Sequence, residues 1–326
     1  MSHSSVSRRG FLATTGAGLI ASAFPGWARG AAEPAGRTRT VRFAYLTDTH
    51  VYEQRNAPAG FTATLRHVQN RDDKPAFILT GGDHVMESYG ANAESAQRQW
   101  DIFHRVYEQE CSLPLYGTIG NHDTWGWNRQ KSGTTGEEPH WGKDRAVYDL
   151  KLPNRYYAFN EGGWRFIVLD GTQEDTPTSY YAGLDPEQFD WLSNELKKTP
   201  KDTPVIVSTH EPILSAAAFF GSNSQKEGHW NFPRQRMILD AREIKDLFLG
   251  HPNVKLCLSG HLHLCDRVEY LGVTYICAGA VSGGWWNGNH QECEEGYGLI
   301  DLYDDGTFDY RYVPSGWTPK NEPVTG

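Results

Sequence analysis

From about residue 40 onward the chain alternates between short apolar runs and segments of helical spacing. Residues 41–47 read as a first strand and 76–80, after Lys74-Pro75, as a second. The runs 115–119, 164–169, 205–208, 254–258 and 273–277 continue the series. A closing hairpin, 299–303 with 308–312, is expected around Asp304-Asp305-Gly306. Between the strands, 92–110 places Trp100, Phe103, Val106 and Tyr107 on one helical face. Asp185-Pro186-Glu187-Gln188 opens a second helix, with Asp as its cap and Pro in its first turn. Residues 237–249 form a third, ended by Gly250. Strands interleaved with helices predict an α/β fold in which sheets are sandwiched between helical layers. The stretches 124–145 and 215–233 carry Gly, Ser and Trp and read as active-site loops.

Ahead of this region, Ser7-Arg8-Arg9-Gly10-Phe11-Leu12 leads into an apolar stretch over 11–24. Small residues then surround Ala28-Arg29-Gly30 and Ala31-Ala32. A basic start, a short apolar core and a small-residue exit describe an export signal. The core is too short, and too rich in Gly, Ala and Thr, for a stable membrane span. Paired arginines followed by Phe-Leu resemble a twin-arginine (Tat) signal. The expected organisation is a signal peptide over 1–32, a linker over 33–40 and one domain over 41–326. This reading implies the Tat export machinery as a partner, a periplasmic or extracellular destination, and no membrane span in the mature chain.

With 326 residues, 38% of them hydrophobic and 22% charged, the chain has material for one large globular core. A net charge of -9 argues against a groove for duplex nucleic acid, whose phosphates it would repel. It leaves room for a small phosphoester if cations reverse the field inside one cleft. The cysteines 111, 257, 265, 277 and 293 form no CxxC units, so a structural zinc site is not expected. Cys257 and Cys277 lie in apolar runs and read as core residues. Whether Cys265 and Cys293 cross-link is left open by spacing.

The chemistry gathers at strand ends. The first strand ends in Asp48-Thr49-His50, the second in Gly81-Gly82-Asp83, the third in Gly120-Asn121-His122-Asp123. The run 205–208 leads to His210-Glu211-Pro212, and 254–258 to Gly260-His261-Leu262-His263. Sites in open α/β sheets form at the carboxyl ends of strands, so these groups can converge. Strand alternation is expected to put Asp48 and His50 on one side, and likewise His261 and His263. The preceding glycines are expected to let the backbone turn sharply. A mixed imidazole, amide and carboxylate set suits Mn, Fe or Zn rather than Ca or Mg alone. Asp83 has two oxygens and can bridge two ions, which would hold phosphoryl oxygens and acidify a water for in-line attack. A His that is not a ligand can protonate the leaving alkoxide.

In this order, the five motifs resemble the calcineurin-like metallophosphoesterase superfamily. The resemblance implies a four-layer α/β/β/α sandwich. It implies two divalent metal ions, one held by Asp48, His50, Asp83 and His263 and the other by Asp83, Asn121, His210 and His261. It implies His122 as the acid that contacts phosphate, with Asp123 orienting it. Met86 stands where purple acid phosphatases place a Tyr, and His84-Val85-Met86-Glu87 replaces the Asp-Arg pair of Ser/Thr protein phosphatases. Three further stretches resemble the bacterial class III cyclic-nucleotide phosphodiesterases. They are Tyr156-Tyr157-Ala158-Phe159 with Phe166-Ile167-Val168-Leu169-Asp170, Gln188-Phe189-Asp190-Trp191-Leu192, and the Gly-rich run from Gly279 to Trp286.

The implied activity is hydrolysis of a small phosphodiester, a 3′,5′-cyclic nucleotide among them, or of a phosphomonoester. A non-catalytic binding scaffold and an envelope or lipid-head-group phosphoesterase are the alternatives. Trp125, Trp127, Trp285 and Trp286 are positioned either to stack on a substrate or to hold loops down. His229 reads as a substrate contact or as a surface His. His84 reads as support for the site rather than as a ligand.

Overall fold

The computed structural model describes residues 36–221, 224–226 and 228–319. The expected export signal and the start of the linker lie outside the described residues. The first half of the chain contributes β1 (Arg39–Leu46), β2 (Phe77–Thr80), β3 (Leu115–Tyr116), β4 (Tyr157–Glu161) and β5 (Trp164–Val168). Among them lie α1 (Ala57–Gln69), α2 (Ala93–Glu110), α3 (Arg129–Ser132) and α4 (Lys143–Asp149). A hairpin of β6 (Thr172–Thr176) and β7 (Ser179–Ala182) precedes α5 (Pro186–Lys198) and β8 (Val205–Ser208). A small ribbon of β9 (Gln225–Lys226) and β10 (His229–Trp230) then leads to α6 (Ala241–Leu249) and β11 (Val254–Ser259). The chain continues through β12 (Cys265–Tyr270), β13 (Val273–Ala278), β14 (Gly296–Tyr303) and β15 (Phe308–Pro314).

Two main sheets result, ordered β15-β14-β1-β2-β3 and β12-β13-β11-β8-β5-β4. In the first, β1 to β3 run parallel; in the second, β5, β8, β11 and β13 do. Parallel pairing sets Phe43 beside Phe77, Ala44 beside Ile78 and Tyr45 beside Leu79. The strand period therefore sorts Phe43, Tyr45, Phe77 and Leu79 onto one face and Ala44, Leu46 and Ile78 onto the other. The first set packs on Phe166, Ile206, Leu256 and Leu258 of the second sheet. The second set packs on Phe61 and Leu65 of α1 and on Trp100 and Phe103 of α2. On the far side, Ile167, Val205, Val207 and Cys257 meet Leu192 and Leu196 of α5 and Ile244 and Phe248 of α6. The layers are thus helix, sheet, sheet, helix, the α/β/β/α sandwich that the resemblance implied.

The caps are local and were readable. The side chain of Asn92 accepts from Ser95 N and starts α2; that of Asp185 accepts from Gln188 N and starts α5. Other boundaries move. β1 begins at Arg39, inside the expected linker. α6 begins at Ala241 rather than at 237, because Ile238 N donates to Pro212 O and Leu239 N to Ala182 O. These bonds hold 238–239 as a connection between neighbouring segments ahead of the helix. α1 was not expected at all: its Pro58 and Gly60 look like breakers, yet Pro sits at the helix start and Gly60 lies under Trp286.

Candidate metal centre

The ligand-bearing segments leave the sheets in an unusual backbone state. Asp48, His50, Asp83, His261 and His263 have φ of 57°, 43°, 55°, 68° and 56°. These are left-handed conformations that non-glycine residues adopt at a cost of roughly 1–2 kcal/mol each. They persist because neighbouring strand ends bind one another: Asp48 N donates to Gly82 O and His50 N to Asp83 O, both at 3.0 Å. Simple strand alternation therefore does not orient Asp48 and His50, nor His261 and His263. The glycine expectation also changes. A Cβ on Gly120 would sit 2.2 Å from Asp83 Oδ1, and one on Gly260 would sit 2.2 Å from Asp48 Oδ2. These two glycines let carboxylates lie against the backbone; the sharp turns belong to the ligand residues themselves.

All seven expected ligands reach one region. His263 Nε2 lies 3.2 Å from Asp48 Oδ1 and 3.0 Å from His50 Nε2. His50 Nε2 lies 3.6 Å from Asp83 Oδ2, and His210 Nε2 lies 3.1 Å from the same oxygen. Asn121 Oδ1 is 3.2 Å from His210 Nε2, and the His261 ring is 5.1 Å from that of His210. The trios Asp48/His50/His263, His50/Asp83/His122 and Asp83/His210/His261 each gather ligand atoms within 4.8 Å of one another.

The donors fit a divalent cation. His263 Nδ1 donates to Gly283 O at 2.6 Å and His210 Nδ1 donates to Gly81 O at 2.7 Å. With Nδ1 carrying the proton, each Nε2 faces carboxylate oxygens, an arrangement that calls for a positive charge between them, either a metal cation or a proton on Nε2. Burial opposes that proton, but Asp83 beside His210 and Asp48 beside His263 raise both imidazoles. Burial pushes the His50 imidazole down to about 4 and that of His261 down to about 3, which keeps both in the neutral, ligating form.

His122 is half-buried beside this cluster. Its backbone N–H donates to Asp83 Oδ1 at 2.8 Å, and its ring Nδ1 donates to the carbonyl of Met86. The expectation that Asp123 orients His122 is corrected. The fully buried Asp123 carboxylate instead accepts from Asp83 N, His84 N and Gly120 N at 2.9, 2.8 and 2.9 Å. It also receives His84 Nδ1 at 2.9 Å, while His84 Nε2 meets Thr80 Oγ1 at 2.7 Å. Asp123 and His84 together fasten the loop that carries Asp83.

The aromatic residues divide. Trp285 lies over His263 with ring centroids 4.3 Å apart and lines a cleft of about 300 Å³ with His261, Arg236, Gln235, His290 and Gln291. Trp286 is 2% exposed, and its Nε1 donates to Thr49 O and His50 O. Trp125 donates to Ala91 O at 3.1 Å, and Trp127 packs against Tyr89; both are buried. These three hold loops in place rather than facing the cleft. His229 is exposed on β10 and does not line that cleft. Arg236, Gln235 and His290 were not singled out from sequence, since no motif surrounds them. Glu211 is likewise a buried acid behind His210; its Oε1 accepts from Thr172 Oγ1 at 2.6 Å, and burial pushes its carboxyl up to about 7.

Residues 41–265 match the family described as calcineurin-like phosphoesterase. The chain is 30% identical over 296 residues to a 3′,5′-cyclic-nucleotide phosphodiesterase of Nostoc sp., covering 87% of this chain and 92% of that protein. It is 25% identical over 234 residues to a probable cyclic nucleotide phosphodiesterase of Synechococcus sp., covering 70% and 76% of the two. A dimetal phosphatase from Danio rerio shares the fold, with a TM-score of 0.56 at 13% identity over 84% of this chain and 99% of that one. Because the matched span carries every ligand-bearing strand end from Asp48 to His263, the chain belongs to the calcineurin-like phosphoesterase family and is a metal-dependent phosphoester hydrolase.

Proposed function

We propose that this protein is an exported hydrolase of small phosphodiesters, 3′,5′-cyclic nucleotides among them, that works with two divalent ions drawn from Mn, Fe and Zn. The observation that carries the two-ion reading is Asp83, whose Oδ2 lies 3.1 Å from His210 Nε2 and 3.6 Å from His50 Nε2 and so faces two imidazole clusters at once. One ion would be held by Asp48, His50, Asp83 and His263, the other by Asp83, Asn121, His210 and His261. Bound there, the ions supply Lewis-acid polarisation of the phosphoryl group and a water acidic enough to attack at neutral pH. His122 serves as the proton donor: with Nδ1 tied to the Met86 carbonyl, Nε2 is left to protonate the leaving oxygen. The likeness to cyclic-nucleotide phosphodiesterases supports the diester over the monoester.

The test is metal analysis of the purified chain followed by assay with Mn on cyclic AMP, bis(p-nitrophenyl) phosphate and p-nitrophenyl phosphate. Two ions per chain and faster turnover of the diesters are expected. Faster turnover of the monoester would sink the diesterase reading. A metal-loaded protein inert on all three would leave a binding scaffold. His122→Ala should retain its metals and lose turnover, most severely on cyclic AMP, whose alkoxide leaves least readily. An emptied metal site in that variant would remove the proton-donor role.

Export is proposed from Arg8-Arg9 and the apolar run that follows. Changing both arginines to Lys should retain the chain in the cytoplasm; unchanged export would remove the twin-arginine reading. A lipid-head-group substrate is the second reading, favoured by Phe219, Phe220 and Trp230, which are 42%, 67% and 56% exposed close to Gly221 of the cleft. Failure to co-sediment with anionic liposomes would exclude it.

A further inference from the structure

The cleft beside His261 has an unexpected charge. The chain carries a net -9, yet none of the described residues lining this cleft is acidic, and one of them is Arg236. Two residues earlier, Arg234 is paired with Asp175 at 2.9 Å. Arg236 has no such ion pair among the described residues, although it is half-buried. Its guanidinium lies against Gly221, where a Cβ would come within 1.6 Å of Nη1. The arginine is therefore seated in a slot, and among the described residues no acid pairs with its charge.

Around it the cleft offers neutral donors and ring faces. Gln235 and Gln291 present amides, and the rings of Trp285 and His290 meet edge-on at 5.5 Å and 82°. Trp285 also lies over His263, so the aromatic corner joins the ligand cluster to the cleft that Arg236 lines. A half-buried guanidinium with no ion pair among the described residues is a planar fork suited to phosphate oxygens. A cleft of about 300 Å³ has room for a nucleotide-sized group.

We infer that Arg236 is a specificity-determining residue that binds a second phosphate of the substrate, joined to the scissile phosphorus through at least one bridging oxygen. The inference rests on the proposed hydrolase reading for the position of the scissile group at the ligand cluster. It extends the substrate class beyond single-phosphate diesters to phosphoesters that carry a further phosphate, with a planar organic group against Trp285. Gly221 is part of the same device, because a Cβ there would shift the guanidinium from its present seat.

The experiment has a binding arm and a kinetic arm. In the first, adenosine 5′-diphosphate is titrated against chelator-stripped protein and followed by tryptophan fluorescence. Arg236→Ala and Gly221→Ala should each weaken binding by about tenfold or more, the second by displacing the guanidinium without removing its charge. In the second, the Mn-loaded enzyme is assayed on ADP-ribose and on bis(p-nitrophenyl) phosphate. KM for the two-phosphate substrate should rise in Arg236→Ala by a factor about ten times greater than for the one-phosphate substrate. Equal effects on both substrates, or unchanged binding of the diphosphate, would overturn the inference. An enzyme inert on every phosphoester would sink the hydrolase reading while the titration still judges Arg236. Gly221→Ala also covers the case in which Arg236→Ala fails to fold.

Discussion

The carboxylate of Asp123 accepts a hydrogen bond from the backbone N–H of Asp83 at 2.9 Å, so the residue that closes the Gly-Asn-His-Asp run holds the central ligand of another strand. Its remaining acceptor positions go to His84 N, Gly120 N and the His84 ring. Asp123→Ala would strand these donors in a fully buried setting. A loss of about 3–5 kcal/mol is expected, as when one member of a buried charged pair is removed. Denaturant midpoints would show it, together with reduced metal content. A variant of unchanged stability that lost only turnover would return Asp123 to a direct catalytic role.

Asp83→Asn should act on the metals first. The amide keeps the shape of the side chain but removes a negative charge facing both His50 and His210. Metal affinity is expected to fall by more than about 100-fold, the upper end for loss of a mere outer hydrogen-bonding partner. Elemental analysis after dialysis measures this, and activity should fall in parallel. Full metal content in Asp83→Asn would mean that Asp83 is not shared between the two clusters.

Cys265 and Cys293 are far apart in sequence, yet Cys265 N–H lies 2.9 Å from Cys293 Sγ. Both thiols are free. Oxidised glutathione should close them: one thiolate displaces glutathione to form a mixed disulfide, and the other displaces the second glutathione. Two protons leave, and the chain loses two hydrogen atoms in mass. Intact-mass spectrometry before and after treatment checks this, with Cys293→Ser as the control. Glutathione adducts that persist without closure would show that the pair cannot reach disulfide geometry.

Asp73 gives a pH dependence away from the site. Its hydrogen bond from Arg39 holds its carboxyl below the usual range, with Arg42 adding to the effect. A depressed folded value means that the unfolded state binds the proton more readily. The stabilisation is therefore present above a pH of about 4 and fades as pH falls through the lower folded value. Asp73→Asn should lower stability at pH 7 and match the parent chain near pH 2. The exposed carboxylate makes the effect small and salt-sensitive. Equal curves at pH 7 and low salt would remove the ion pair as a contributor.

Local rules made several elements legible. Asp185-Pro186 and Asn92 cap their helices through contacts within three residues, which sequence carries in full. Elements whose reason lies elsewhere were not legible. Gly60 inside α1 reads as a weak helix position until Trp286, more than two hundred residues later, is seen to occupy the space of its Cβ. β12 reads as a charged loop, Cys265-Asp266-Arg267-Val268-Glu269-Tyr270, because an edge strand beside β13 needs only backbone pairing and tolerates polar side chains.

The same division holds at the site. The sequence by itself determined which groups end the strands, since Asp48, Asp83, Asn121, His210 and His263 each follow an apolar run whose period is local. It also determined the mixed donor set of imidazole, amide and carboxylate. The tertiary structure decided how those groups point. Left-handed turns at the ligands are sustained only by hydrogen bonds between separate strand ends, such as His50 N to Asp83 O. It decided that Asp123 serves Asp83, that Trp125, Trp127 and Trp286 are buried, and that Trp285 with Arg236 faces the cleft. Side-chain period is a property of neighbouring residues, whereas burial and partner choice depend on segments that meet only when two sheets pack face to face.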